Sequence, residues 1–449
     1  MTKKLIRTKY IVSADKDNNI FSDYCIEITG DRITGLFPFK AEKIANYDGV
    51  FIDLSDRILI PGFVQTHIHL CQTLFRGLAD DLQLLDWLQL RIFPYENSHN
   101  KDSLKLSARL GINELLKSGT TTLLDMGTLR YQEVIFEELA KSGMRAIAGK
   151  CMIDFNELFP NFVADTKDEL SYTYELAKTF HNCCDGRIKY GFAPRFVLSC
   201  SETLLKETKS MMEEFPGSIY HTHSSENKEE VKLVKKLYRK ENIEYFDSIN
   251  VLDDHTVLAH CIHLNDNEVK TLKRNNVRVS HCPSSNLKLG SGIADIPRYI
   301  KEGISVSLGA DGAPCNNNLS VFYEMRLASL IQKPIYNPTE MDAKTIFRLA
   351  TIEGAKALHL DNEIGSIEVG KKADIVFLDL NKTNVCLLDD KELIYSKIVY
   401  SCNDSCVDSV MVDGEWVVKN GTSLLFDEEK LSKDGKSELK KLIKRAEQI

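Results

Sequence analysis

The stretch from Leu59 to Leu88, LIPGFVQTHIHLCQTLFRGLADDLQLLDWL, decides how the chain is read. It opens as an apolar run and then places His67 and His69 one residue apart. A strand sends alternate side chains to one face, so the two imidazoles point the same way where the run stops. They are either two hydrogen-bonded surface histidines or half of a metal site.

Similar runs recur at 119–127 (GTTTLLDMG), 145–152 (RAIAGKCM), 187–196 (RIKYGFAPRF), 218–226 (SIYHTHSSE), 256–264 (TVLAHCIHL), 277–283 (VRVSHCP) and 305–312 (SVSLGADG). Amphipathic segments such as SLKLSARLGINELLKS (103–118) and NKEEVKLVKKLYRK (227–240) separate most of them. Regular strand–helix alternation implies parallel strands with right-handed crossovers. Eight such units over about 300 residues predict an α/β fold, a (β/α)8 TIM barrel. A doubly wound open sheet is the alternative, but no Gly-x-Gly-x-x-Gly follows any of the runs.

The two ends read differently. YIVSADKDNNIFSDYCIEITGDRITGLFPF (10–39), GSIEVGKKADIVFLDL (365–380) and VDSVMVDGEWVVKNG (407–421) are short alternating strands broken by turn residues. The expected organisation is a composite β-sandwich from 1–58 and 362–425, a catalytic barrel over 59–361, and a peripheral polar helix over 426–449.

Five of the eight runs, the first and the fifth to eighth, reach histidine or aspartate at their ends: His67 and His69, His221 and His223, His260, His281, and Asp311. In a parallel barrel these strand ends open onto one mouth. Six of the chain's 11 histidines lie there, so the whole set points to a site where one strand-end histidine would not. Three imidazoles and a carboxylate suit zinc or another divalent transition metal with a water in the open position, without separating zinc from iron or manganese.

Asp311 follows a buried run, where a cation would hold it as the anion and let it take a proton from water. Glu226 lies three residues after His223 and can donate a proton to a substrate, or simply be a first-turn acid of the next helix. His260 can hydrogen-bond the water. His221, His263 and His281 read as supporting or structural. Lys150 ends the third run, but a lone lysine carries no assignment. The zinc motif His-x-Glu…Pro-Cys-x-x-Cys is absent, since SHCPSSN lacks its second cysteine.

A net charge of −8, with no basic cluster interleaved with aromatics, argues against a nucleic-acid or anionic-membrane partner. No export signal and no bilayer-length apolar run is evident, which predicts a cytoplasmic protein. The 12 cysteines contain no Cys-x-x-Cys and are expected to be reduced and mostly buried. A homo-oligomer is the default for an enzyme of this size.

Taken together, PGFVQTHIHL, HTHSSEN, HCPSSNLKLGSGIA, SLGADGAPCNNN and GSIEVGKKADIVFLDL resemble the amidohydrolase superfamily. Within it they are similar to the aminohydrolases and chlorohydrolases of nitrogen heterocycles. The resemblance implies a metal-dependent barrel with a composite sandwich, and it implies roles. His67, His69, His223 and Asp311 match the ligands of one divalent metal, Zn2+ before Fe2+ or Mn2+. Glu226 matches the proton shuttle, His260 the residue that steadies the water, and Asp311 doubles as the base. Binuclear relatives use a carbamylated lysine at the end of strand four; here that end reads APRF and Lys189 comes too early, which favours one metal.

TLFRGLADDLQLLDWL, IFPYE and NLKLGSG resemble deaminases of 5'-modified adenosines, in which Glu96 would match the carboxylate that holds the ribose hydroxyls. PRFVLSCSETL and Gln72 resemble guanine deaminase instead, whose matching residues contact the purine, here Gln72, Arg195 and Phe196. The longer likeness sets the expected function. This is metal-dependent hydrolytic deamination of 5'-deoxyadenosine, methylthioadenosine or S-adenosylhomocysteine to the inosine analogue, with release of ammonia. Guanine deaminase and a triazine chlorohydrolase are the alternatives. A non-enzymatic scaffold on this fold would be expected to have lost ligands, and all four are kept.

Overall fold

The computed structural model describes residues 2–45, 47–383 and 389–448. Cys386 lies outside the described residues; the other eleven cysteines are free thiols, nine of them buried. No helix among the described residues is long and apolar enough to cross a membrane.

The chain begins with β1 (Lys3–Val12), β2 (Ile20–Thr29), β3 (Arg32–Pro38) and β4 (Val50–Pro61). It then enters a barrel built from β5 (Phe63–Ile68), β6 (Thr120–Asp125), β7 (Arg145–Ala148), β8 (Cys151–Met152), β9 (Ile188–Pro194), β10 (Ile219–Ser224), β11 (Thr256–His260), β12 (Arg278–His281) and β13 (Ser305–Leu308). The barrel order is β13-β12-β11-β10-β9-β7-β6-β5, with parallel pairing throughout and β8 added beside β9. The run expected as one strand over 145–152 is thus two pieces, β7 and β8, parted where Lys150 turns aside to Glu169.

Every residue of β5 and β6 is buried, as parallel strands covered on both faces require. A parallel bridge between Ile68 and Asp311 closes the ring, and the Asp311 N–H donates to the His67 carbonyl at 3.0 Å. Gly309 makes that closure possible: a Cβ there would lie 2.9 Å from His67 Cβ and 2.7 Å from its oxygen. The bond that shuts the barrel therefore joins two of the expected ligands directly.

After the barrel come β14 (Ile375–Leu378), β15 (Val407–Val412), β16 (Glu415–Lys419) and β17 (Thr422–Ser423). They join the N-terminal strands in one continuous sheet, β17-β16-β15-β14-β4-β1-β2-β3. The two ends of the chain meet where β14 runs antiparallel to β4. Period-two alternation splits β4 between two cores: Leu59 packs with Ile6, Ile26, Ile375 and Phe377, whereas Ile58 and Ile60 belong to the barrel's core. A buried ion pair ties this sheet to the barrel, with Arg145 Nε donating to Asp374 Oδ2 at 2.7 Å and Nη2 to Oδ1 at 3.2 Å.

The C-terminal helix, Glu428–Ala446, was expected at the periphery from its polar composition. It docks against the helix Lys101–Lys117 through buried Leu431, Gly435, Glu438 and Leu442, a stripe at helical spacing. Arg445 Nε also donates to the Ser98 carbonyl at 2.8 Å. A few apolar residues at the right spacing dock a helix whose other faces stay charged.

Candidate active site

The strand ends converge as the alternation predicts. His67 is the penultimate residue of β5 with His69 just beyond the strand, His223 sits in β10, His260 ends β11 and Asp311 follows β13. His69 Nε2 and His223 Nε2 are 3.3 Å apart, and Asp311 Oδ1 lies 3.3 Å from His67 Nε2 and 3.4 Å from His69 Nε2. Four ligand atoms at 2.0–2.1 Å from a tetrahedral ion are about 3.3 Å from one another, so these spacings are those of a ligand shell. His67 Nε2 is buried and makes no hydrogen bond of acceptable geometry despite its carboxylate neighbour. Two facing Nε2 atoms and one orphaned Nε2 leave lone pairs for a cation, so the donor set fits a metal ion of the zinc type.

Surrounding groups hold these rings. His221 Nε2 lies 2.9 Å from His67 Nδ1, and the Arg195 carbonyl accepts from His223 Nδ1 at 2.7 Å. Such bonds set tautomer and ring orientation. Burial holds His67 below the usual histidine range against the pull of Asp311. Burial and then the neighbouring imidazoles hold His69, His221 and His223 well below it. Each shift favours the neutral imidazole, the form that binds a metal.

Asp311 accepts from Ser285 Oγ at 2.6 Å and from the Gly312 N–H at 2.8 Å. Burial pushes its carboxyl up, but His67, His260 and His69 outweigh that and hold it well below the usual range. Glu226 goes the other way: burial, reinforced by the charge of Asp311, pushes its carboxyl well above the usual range. One carboxyl held ionised beside one held protonated is the pattern of a base and an acid. Glu226 is not the helix cap that its position allowed; Asn227 caps the helix Lys228–Tyr238 in a box with Glu230, which leaves Glu226 facing the pocket.

His260 Nδ1 lies 2.8 Å from Asn286 Oδ1, so Nε2 keeps its lone pair, 3.5 Å from Glu226 Oε2 and 3.9 Å from Asp311 Oδ2. Ser225, His260 and Asp311 hold φ of +52°, +73° and +62°. Left-handed backbone at non-glycine residues is costly, and here it gathers at the barrel mouth.

The centre opens into a pocket with one apolar and one polar side. Trp87, Leu84, Leu88, Leu289 and Phe196 form its apolar wall, opposite His69, His223, Glu226, His260 and Asp311. Of the residues expected to bind substrate, Arg195 and Phe196 line the pocket beside Glu226. Gln72 and Glu96 lie behind Arg195 and are buried.

Lys150 takes no part, since its ammonium is buried against Glu169. His263 donates to or accepts from nothing at the centre; its Nε2 meets the Ser291 carbonyl at 2.7 Å. His281 is buried with both ring nitrogens unpaired. Sequence reasoning assigned no role to Ser285 or Asn286, although both stand in the quoted HCPSSN motif, nor to the wall residues Leu84, Trp87, Leu88 and Leu289.

A model of the amidohydrolase family matches residues 58–417. The chain belongs to the amidohydrolase family. Members depend on metal, and like its relatives this amidohydrolase is an enzyme of the aminohydrolase type. It is 40% identical to a 5'-deoxyadenosine deaminase of Methanobrevibacter smithii, over 92% of this chain and 94% of that one. It is 35% identical to a 5-methylthioadenosine/S-adenosylhomocysteine deaminase of Thermoanaerobacter pseudethanolicus, over 98% and 99%. Among solved structures, an adenosine deaminase from Xanthomonas campestris with bound zinc superposes with a TM-score of 0.90 at 26% identity, covering 100% of this chain and 99% of that one.

Proposed function

We propose that this chain is a metal-dependent hydrolytic deaminase of a 5'-modified adenosine, releasing ammonia and the inosine analogue. The observation that carries this reading is the meeting of two carboxyl groups, Asp311 and Glu226, on either side of His260 at a buried metal-type histidine cluster that lines an apolar-walled pocket. The names of the relatives support the purine nucleoside as substrate. His67, His69, His223 and Asp311 would hold one ion, with zinc the choice for three imidazoles and a carboxylate. When bound, the ion supplies Lewis acidity that brings the pKa of a water molecule towards neutrality.

The chain's own residues do the rest. Asp311 takes the proton from the attacking water. Glu226 gives a proton to the ring nitrogen beside the amino-bearing carbon, which makes that carbon electrophilic. His260, oriented by Asn286, accepts a hydrogen bond from the attacking oxygen as the tetrahedral centre forms, and the proton taken by Asp311 passes to the amino group as the C–N bond breaks and ammonia leaves. The apolar wall of Trp87, Leu84, Leu88, Leu289 and Phe196 receives the heterocycle and excludes water. Free thiols fit a reducing cytoplasmic setting.

One observation favours a second substrate: Arg195 and Phe196, the residues likened to those of guanine deaminase, do face the pocket. An ultraviolet assay of the zinc-loaded protein tests both. It would use 5'-deoxyadenosine, methylthioadenosine, S-adenosylhomocysteine, adenosine and guanine, with and without chelator. Chelator-sensitive turnover of the adenosines supports the proposal. Turnover of guanine alone overturns the substrate, and no turnover of any compound by metal-loaded protein overturns the activity.

A further inference from the structure

Glu324 breaks the pattern of its helix. The helix Val321–Leu330 buries Val321, Phe322, Glu324, Met325, Ala328 and Ser329 on one stripe, so a carboxyl stands where the spacing calls for an apolar side chain. It is 0% exposed, and burial pushes the carboxyl up to about 7. Burying such a group is costly unless its oxygens find donors, and here both do. Oε2 accepts from the Ser284 N–H at 3.1 Å, and Oε1 accepts from Asn316 Nδ2 at 2.8 Å.

Those two donors belong to the two segments that carry the polar side of the site. Ser284 begins the run Ser284-Ser285-Asn286, in which Ser285 Oγ donates to Asp311 Oδ2 at 2.6 Å and Asn286 Oδ1 meets His260 Nδ1 at 2.8 Å. Asn316 Nδ2 also donates to the Ala310 carbonyl at 2.8 Å, on the peptide that leads into Asp311. The N–H of the same alanine donates to Gln65 Oε1 at 2.9 Å. Asp311 holds a left-handed φ of +62°, a conformation that persists only where surrounding bonds over-determine it. We propose that Glu324 is a positioning residue, which clamps the turn after β12 to the loop after β13 and so sets Asp311 and His260 relative to each other. It acts through Ser285, Asn286 and Asn316, and does not itself line the pocket. The proposal rests on the reading of Asp311 as the base and His260 as the acceptor of the attacking oxygen's hydrogen bond.

The test is a set of double-mutant cycles on kcat, with 5'-deoxyadenosine as substrate and zinc at saturation. Glu324→Gln keeps the shape but sets an amide against one of the two N–H donors. We expect kcat to fall about tenfold with KM unchanged, as for one lost hydrogen bond to a charged group. Combined with Ser285→Ala, and separately with Asn286→Ala, it should lose less than the product of the single losses, because those residues carry its effect. Combined with Leu84→Ala, on the apolar wall, the losses should multiply. Multiplied losses in either of the first two cycles overturn the proposal. So does an equal shortfall with Leu84→Ala, which is what general loosening of the fold produces.

A second readout needs no substrate. Zinc affinity, measured by competition with a chelating dye, should fall about tenfold in Glu324→Gln, since groups that hold a ligand in place tune its metal. Wild-type affinity overturns the proposal. If no purine is turned over, the reading of the reaction has failed, and the zinc competition still decides the role of Glu324. Should Glu324→Gln fail to fold, Asn316→Ala removes the Oε1 arm and enters the same cycles and the same competition, with the same results expected.

Discussion

Replacing Asn286 with alanine isolates one hydrogen bond at the centre of the proposed chemistry. Asn286 is buried, does not line the pocket, and touches His260 Nδ1 through its Oδ1 at 2.8 Å. That bond keeps the His260 proton on Nδ1 and aims the Nε2 lone pair between Glu226 and Asp311. Alanine frees the ring to take the other tautomer or to turn. A neutral hydrogen bond contributes about 0.5–1.5 kcal/mol, and with about 1.4 kcal/mol per decade of rate the expected fall in kcat is about two- to thirteen-fold. KM and bound metal should hardly change, because Asn286 reaches neither the apolar wall nor the ligand atoms.

The assay is steady-state deamination of 5'-deoxyadenosine followed in the ultraviolet, with metal content measured on the same preparation. A kcat within experimental scatter of wild type would refute the reasoning and mean that packing alone orients His260. A raised KM at constant kcat would refute it differently, by making Asn286 a substrate contact.

Other outcomes follow from the same geometry. Glu226→Gln keeps the shape but not the transferable proton, and kcat should fall by about 10²–10⁴ with metal content unchanged; a smaller loss would remove Glu226 from the proton path. Arg145→Ala leaves the Asp374 carboxylate, 1% accessible, without its partner, at a cost of about 3–5 kcal/mol. The urea midpoint should drop at unchanged slope and kcat/KM per folded molecule should stay the same; a midpoint equal to wild type would show the pair to be dispensable. Burial pushes buried His99 down to about 4. The unfolded chain therefore binds its proton first as pH falls. His99 gives full stability above about pH 6.5 and progressively less down to about pH 4, for a total near 3 kcal/mol. His99→Gln should flatten stability over that window, and an unchanged slope would assign the pH dependence elsewhere.

Much of the site was legible because its chemistry is local to strand ends. His-x-His in PGFVQTHIHL points both rings to one face by the two-residue period alone, and buried parallel strands announce themselves as unbroken apolar runs. Alternation with helices then requires a common mouth for residues as far apart as His67 and Asp311. The relative offset of the strands is a different matter, because register is set by packing across the barrel. Only the folded chain shows His221 supporting His67 while His223 faces His69, although the two residues differ by one pleat of the same strand.

Motif likeness offered Glu96 on one side and Gln72 with Arg195 on the other as rival signals for the substrate. In three dimensions the three form one hydrogen-bonded cluster, drawn from the loop after β5, the segment near Glu96 and the end of β9. Mean polarity likewise hides the buried stripe of Leu431, Gly435 and Leu442 on the C-terminal helix. The sequence alone determined the barrel and the polar residue types that end its strands, since these follow from periodicity. Tertiary structure decided which polar groups face the pocket and which stand behind them, because that depends on distances between segments that no local pattern encodes.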